Sequence, residues 1–282
     1  MLTPVVHTIA EVRAAVDRAR GLGMSIAFVP TMGALHEGHA ALVRAAGKPC
    51  SFVVVSIFVN PKQFGPTEDF AKYPRTLDAD RELCTEAGAN LIFAPSAEEM
   101  YPEGAVTFVE VAKLGDVLCG ASRPGHFRGV CTVVLKLFNI VQPDAAYFGA
   151  KDYQQARIIE RMVRDLDVPV EVKIEPTVRE ADGLAFSSRN RYLSPAERAA
   201  ASGIYRALVG VRDCTQAGET TAVSLEKQLN ESLAAIPGAR VDYARIVDAE
   251  TLEPVSNLNR PAVAAVAVYL GTTRLIDNIR LD

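Results

Sequence analysis

The sequence lacks the markers of several protein classes. Its five cysteines, at positions 50, 84, 119, 131 and 214, are odd in number and form no CxxC pair. That spacing argues against a disulfide framework and against a zinc cage, and scattered buried thiols in a reducing compartment are expected. No uncharged apolar stretch reaches the roughly 18 residues that a membrane span requires, so no membrane partner is expected. Residues 1–20 alternate charged and apolar side chains without a hydrophobic signal region, which predicts a cytoplasmic protein with no secretory leader. Positive charge is not in excess: Lys+Arg 30 against Asp+Glu 34 gives a formal net charge of -4. Proteins that coat nucleic acid are usually basic overall or along one stripe, so no nucleic-acid partner is expected, although a small basic pocket for a phosphate ligand stays compatible. No GxGxxG fingerprint, GK[ST] loop, HExxH helix or internal repeat occurs.

What is present describes an ordinary globular chain of 282 residues, 49% hydrophobic and 23% charged. At about 150 residues per domain the length suggests roughly two domains. Through the first two-thirds, helical and strand-like stretches alternate. Helical spacing marks 11–23, 39–46, 75–88, 132–143 and 153–166. Short apolar runs at 25–30, 51–60, 90–95 and 145–149 read as strands buried on both faces, 107–111 as a further strand, and the alternating 170–178 as a strand near an edge. This βαβ rhythm predicts a Rossmann-like, doubly wound parallel sheet over residues 1–179, with its site at the carboxyl ends of the strands. Near residue 180 the pattern changes. Ser194, Pro195 and Glu197 signal a strong helix start for 194–213, a second helix follows at 221–236, and strands at 241–248, 262–270 and 274–281 come in succession. Residues 180–282 therefore read as a smaller α+β domain with an antiparallel sheet.

Four segments could carry chemistry, and three of them follow predicted strands. TMGALHEGH (31–39) places glycines and two histidines, His36 and His39, at a helix start. Such a start offers free N–H groups and partial positive charge to a polyphosphate, while the bland alternative is a pair of capping histidines. In FVNPKQFGPTEDF (58–70), Asn60 and Gln63 suit a hydroxylated or carboxylate ligand, or else ordinary turn chemistry. In YFGAKDYQQ (147–155), Lys151 can meet phosphate as a mobile point charge and Asp152 can cap the next helix or face a metal-bound nucleotide. In GLAFSSRNRYLSP (183–195), Ser187, Ser188 and Arg189 form either a phosphate clamp or a polar linker. A further loop, SRPGHFRGV (122–130), holds Arg123, which could present a cation to a carboxylate. The pooled chemistry is cationic and hydroxyl-rich, which fits nucleotide transfer assisted by electrostatics.

The motifs PTMGALHEGH, VSIFVNPKQF, YPRT, RPGHFRGV, FGAKDYQQ, PTVREADGLAFSSRNRYLSP and LGTTRLIDNI resemble, in order, those of the pantothenate synthetase (pantoate–β-alanine ligase) family. That family belongs to the HIGH-signature nucleotidyltransferases; here the signature reads HEGH. The resemblance implies an AMP-forming ligase that joins (R)-pantoate to β-alanine through a pantoyl adenylate, using ATP with Mg²⁺. It implies His39 as catalytic acid, with His36 and Lys151 neutralising charge. It implies nucleotide contacts from Met32, Gly33, Ala34, Leu35, Glu37 and Gly38, from Gly149, Ala150, Lys151 and Asp152, and from Val178, Phe186, Ser187, Ser188 and Arg189. Gln63 and Gln155 would grip pantoate, with Asn60, Tyr73 and Arg123 lining the substrate site. A homodimer is also implied. Ala150 stands where the family usually has Glu, and Phe186 where it usually has Met. A backbone contact survives the first change, and an apolar wall survives the second. Two alternatives to the ligase remain, a nucleotidyltransferase that releases an adenylated product and a non-catalytic nucleotide-binding protein. The first would not need an amine substrate.

Overall fold

Nearly all-apolar strands need cover on both faces, and the chain supplies it by alternating them with amphipathic helices. The structure, a computed structural model, describes residues 1–65 and 68–281; Pro66 and Thr67, within the predicted 58–70 loop, and Asp282 lie outside the described residues. In chain order the first part runs β1 (Val5–Val6), α1 (Ile9–Gly21), β2 (Ser25–Thr31), α2 (Glu37–Ala46), β3 (Ser51–Ile57), α3 (Leu77–Ala87), β4 (Leu91–Phe93), α4 (Ala97–Met100), α5 (Cys119–Ser122), α6 (His126–Val141), β5 (Ala145–Gly149), α7 (Tyr153–Asp165) and β6 (Glu171–Glu175). The six strands form one sheet in the order β1-β4-β3-β2-β5-β6, and every pairing is parallel. β2 and β3 align residue for residue, from Ser25 with Ser51 to Thr31 with Ile57. From β2 the chain winds outward to β3 and β4, then crosses back to β5 on the other side. The strand order thus reverses between β2 and β5, and ligand crevices of doubly wound sheets lie at that reversal, beyond the carboxyl ends. The segments that start at Met32 and Ala150 leave the sheet on either side of it.

The remainder runs α8 (Pro195–Gln216), α9 (Ala222–Ala234), β7 (Ala239–Asp248), β8 (Ala262–Leu270) and β9 (Thr273–Arg280). The three strands form an antiparallel sheet in chain order. Ser194 caps α8: its Oγ accepts from Glu197 N–H at 3.3 Å, and Glu197 Oε2 accepts from Ser194 N–H at 2.7 Å. Ile204, Leu208 and Val211 from α8, Leu225, Leu229 and Leu233 from α9, and Ile246, Val266 and Val268 from the sheet share one core. Side chains that deeply buried contribute about 1.5–3 kcal/mol each. A bulge between Val241 and Tyr243 breaks the β7–β8 register, and Asp242 at that point takes both Nε and Nη2 of Arg274 (3.0 and 2.7 Å).

Contacts divide the chain into two compact units. The first holds Met1–Asp116, Gly120–Ala150 and Gln155–Pro176; the second holds Val117–Cys119, Lys151–Gln154 and Thr177 onward. The fold class expected from the sequence, a doubly wound parallel sheet plus a separate antiparallel sheet, is the one observed. Three details differ. Residues 107–111 form no strand: Val109 N–H goes to the Thr132 hydroxyl at 3.0 Å rather than to a neighbouring strand, and Phe108 stays partly exposed. The helix expected at 132–143 starts earlier, at His126, after Gly125 turns the chain with φ +81°. The cysteines are not all buried, since Cys50 is exposed and Cys214 is intermediate. Burial pushes the thiols of Cys84 and Cys131 up to about 12, which leaves both inert.

Helix α6 lies against the turn at Pro61–Gln63 with no room to spare. A Cβ on Gly129 would stand 2.1 Å from the Lys62 carbonyl oxygen. Gly129→Ala is therefore expected to lower stability by about 1–3 kcal/mol in denaturant unfolding, because backbone must shift. An unchanged midpoint would contradict this close approach.

Candidate active site

After β2 the backbone turns sharply. Gly33 (φ +82°) and Ala34 (φ +51°) both occupy the left-handed region. A Cβ on Gly33 would meet Asp80 Oδ2 and Ile57 Cγ2, each at 3.0 Å, so glycine is favoured here by torsion and by a tight fit. The non-glycine strain at Ala34 is held by one side chain. Asp80 of α3 is 2% exposed, and its carboxylate accepts from Ala34 N–H (3.0 Å), Leu35 N–H (2.8 Å) and the Thr76 hydroxyl (3.1 Å). A buried carboxylate is tolerable only with such partners, so the turn and the acid stabilise each other.

The turn delivers two histidines to the start of α2. His36 is the N-cap, with extended backbone, and its Nδ1 accepts from Gly38 N–H at 3.2 Å. His39, one turn on, acts in return: its Nδ1 accepts from His36 N–H at 3.3 Å. The rings sit 4.1 Å apart with a 41° tilt. This is a capping box built from imidazoles in place of hydroxyl and carboxylate. Because each Nδ1 accepts, a neutral ring carries its proton on Nε2. The arrangement thus presents N–H donors beside the positive end of a helix dipole, the chemistry that receives phosphate oxygens. Glu37, between them, is half-exposed and pairs with Arg44.

A second network begins at the end of β3. Asn60 is 1% exposed and caps the Pro61–Gln63 turn. Its Nδ2 donates to Gln63 Oε1 and to the Gly129 carbonyl, both at 3.1 Å. Gln63 Nε2 meets Met32 Sδ at 2.8 Å, which joins this turn to the histidine segment. The Gln63 carbonyl accepts from His126 Nδ1 at 2.8 Å, and His126 Nε2 accepts from Arg123 Nη1 at 3.1 Å. Arg123 grips Glu68 with two nitrogens, at 2.8 and 2.6 Å. Burial pushes the Glu68 carboxyl up, but the Arg123 hydrogen bonds and charge prevail and hold it below the usual carboxylate range. Tyr73 is buried, edge-on to Phe64 at 5.9 Å. Gly149 ends β5 with nothing within 4 Å of its Cβ position. Ala150 follows it, and Gln155 stands in the first turn of α7.

The remaining sequence-predicted residues belong to the second unit. Lys151 Nζ has Asp152 at 3.7 Å, a loose pairing, and the Lys151 carbonyl accepts from Asn278 Nδ2 at 2.9 Å. Next to Asn278, buried Asp277 takes Arg179 in a bidentate pair at 2.6 and 2.9 Å, and the Arg179 guanidinium stacks 3.8 Å over Tyr205. Arg179 in turn pins a small hairpin in which the Val178 carbonyl accepts from Phe186 N–H at 3.1 Å. Ser187 ends that hairpin and caps the turn Ser188–Tyr192, its Oγ accepting from Arg189 N–H at 3.3 Å. A Cβ on Gly183 would strike the Tyr205 ring at 2.4 Å, so the hairpin is seated closely. One pair of neighbours on β9, Asp277 and Asn278, therefore anchors both the lysine turn and the Ser-Ser-Arg segment.

Asp80, Gly129, Asp277 and Asn278 escaped sequence reasoning. Asp80 left a signal, since it shares the apolar face of α3 with Cys84 and Ala87 at helical spacing. Gly129 left another, as a glycine inside a helix.

Comparison with known proteins identifies the family. The family described as pantoate-beta-alanine ligase matches residues 4–280. A pantothenate synthetase of Moorella thermoacetica is 56% identical over 278 residues, covering 99% of this chain and 98% of the relative, and one of Pelotomaculum thermopropionicum is 55% identical over 274 residues, covering 97% of each. The crystal structure of pantothenate synthetase from Thermus thermophilus superposes with a TM-score of 0.94 at 51% identity, covering 99% of both chains. That of pantoate-beta-alanine ligase from Francisella tularensis, complexed with beta-gamma ATP and beta-alanine, gives 0.77 at 33% identity, covering 98% of this chain and 97% of that one. On this evidence the chain belongs to the pantoate–β-alanine ligase (pantothenate synthetase) family.

Proposed function

We propose that this protein condenses (R)-pantoate with β-alanine, using ATP and releasing AMP and pyrophosphate. The observation that carries the reading is the reciprocal capping of α2 by His36 and His39, which sets two imidazoles with Nδ1 as acceptor at a helix N-terminus. In the first step a pantoate carboxylate oxygen bonds to the α-phosphorus, the bond to the bridging oxygen breaks, and pyrophosphate leaves. The developing charge is met by the helix start, by His36 and His39, and by Lys151. His39 supplies its Nε2 proton to the departing oxygen. In the second step the β-alanine amine bonds to the acyl carbon and the bond to AMP breaks.

The 32–39 turn, Gly149–Asp152, Val178 and the 186–189 segment are assigned to the nucleotide. Gln63 and Gln155 are assigned to pantoate, with Asn60, Tyr73 and Arg123 supporting the substrate side. Ala150 contributes backbone alone. Among the described residues no group of three His, Cys, Asp or Glu is placed to hold a metal. Mg²⁺ is read as entering on the phosphates of ATP, as part of the substrate. Residues 1–179 are read as the main ATP- and pantoate-binding domain and residues 180–282 as a smaller domain that adds nucleotide contacts. A cytoplasmic homodimer belongs to the same reading; five free cysteines support a reducing compartment, and the family resemblance supports the dimer.

Pantoate labelled with ¹⁸O in its carboxylate is expected to leave one labelled oxygen in AMP. Label confined to pyrophosphate would overturn the acyl-adenylate step, and repeated turnover without β-alanine would favour a nucleotidyltransferase that stops at the adenylate. His39→Ala is expected to cut kcat by at least about 100-fold, the scale of one lost acid or charge-stabilising group. Near-normal turnover in that variant would remove His39 from the chemistry.

A further inference from the structure

The amide of Asn60 has no hydrogen-bonding capacity left over. Its Oδ1 accepts from the Tyr101 hydroxyl at 2.9 Å and from Lys62 N–H at 3.2 Å, while its Nδ2 donates to Gln63 Oε1 and the Gly129 carbonyl. An asparagine with both lone pairs and both N–H groups engaged has a single orientation. That orientation passes to Gln63. Asn60 presents a donor, so Gln63 turns its Oε1 toward Asn60 and its Nε2 toward Met32 Sδ. Sulfur is a weak acceptor, so Gln63 Nε2 loses little on exchanging it for an oxygen of a bound oxyacid. A reversed Gln63 would offer a carbonyl to a carboxylate or hydroxyl oxygen, acceptor against acceptor.

Tyr101 stands outside the residues assigned to substrate, yet its hydroxyl is the one side-chain donor to Asn60 among the described residues. The ring is fixed on its own account. Lys62 Nζ lies 4.3 Å from the Tyr101 centroid and 4.5 Å from that of Phe108, and the Arg128 guanidinium lies 4.0 Å from Phe108. Phe58 packs against Tyr101 at 6.2 Å. Burial pushes the phenol well above its usual value, so it stays a donor at any working pH.

We propose that Tyr101 is a positioning residue for substrate recognition: through Asn60 it sets the amide of Gln63 with its N–H₂ toward the oxyacid. The inference rests on the assignment of Gln63 to pantoate. Tyr101→Phe removes the hydroxyl and keeps the stacked ring. It is expected to raise KM for pantoate about five- to tenfold, the effect of one lost hydrogen bond, with KM for ATP and kcat within about twofold. In a Gln63→Ala background the same substitution is expected to add nothing to KM, because the group it orients is gone. An unchanged pantoate KM in Tyr101→Phe, or an equal further rise in the Gln63→Ala background, would overturn the relay. So would a common drift of every kinetic constant together with the melting temperature, which would mark Tyr101 as packing alone. If Gln63→Ala itself leaves KM for pantoate unchanged, the assignment of Gln63 fails and the relay with it, an outcome distinct from the other three.

Discussion

The first turn of α2 is the constraint on which the rest of the candidate site depends. Four N–H groups at a helix start need partners, and two of them find imidazole nitrogens. That use of Nδ1 fixes the tautomer of each neutral ring. It works only if the backbone from Gly33 to Leu35 holds a left-handed path, and that path is fixed by Asp80 from α3. The position of α3 is in turn set by the strands on either side of it, β3 and β4, which pair in the sheet. Sheet, helix, carboxylate, turn and histidines form one chain of dependence.

Charge is used locally across the molecule. Three arginines are bound to acids: Arg123 to Glu68, Arg179 to Asp277, Arg274 to Asp242. They act as struts that hold loops in place. Pairs as buried as Arg179–Asp277 specify geometry more than they add stability, since desolvation offsets much of their attraction. Lys151 is held less tightly, with Asp152 at 3.7 Å. A net charge of -4 over the chain is compatible with the proposed phosphate binding, because oriented dipoles can receive an anion without a field of positive charge.

Most of the fold was legible in the sequence because its signals are local. Val53, Val54 and Val55 announce a strand buried on both faces, and Ser194-Pro195-x-Glu197 announces a capped helix. The failures are positions where a distant partner decides. Thr107–Val111 has strand composition, but its backbone partner is the Thr132 side chain on α6. His126–Val130 carries glycine and reads as loop, yet Gly129 is there to let α6 approach the Lys62 carbonyl. The candidate site was legible at strand ends, where the proposed His36, His39, Asn60, Gln63 and Lys151 stand. Its supports were not. Asp277 and Asn278 look like ordinary strand residues until the fold brings them to Arg179 and to the Lys151 carbonyl. Nor does the sequence show that Val117–Cys119 and Lys151–Gln154 pack with a unit that otherwise begins near residue 177; Gln154 ties the two segments together through Cys119 N–H at 3.0 Å and the Val117 carbonyl at 2.7 Å, and the Tyr153 hydroxyl donates to the Ala249 carbonyl at 2.7 Å.

The tautomers of His36 and His39 decide whether the reciprocal cap of α2 holds. With ¹⁵N-labelled histidine, at a pH about two units above the ordinary histidine value of ~6.5, ring nitrogen shifts and their proton couplings identify the protonated nitrogen. Nε2–H is expected for both rings, with Nδ1 unprotonated and accepting from the backbone. Nδ1–H on either ring would contradict the reciprocal cap, and with it the proposed reception of a phosphate by this turn.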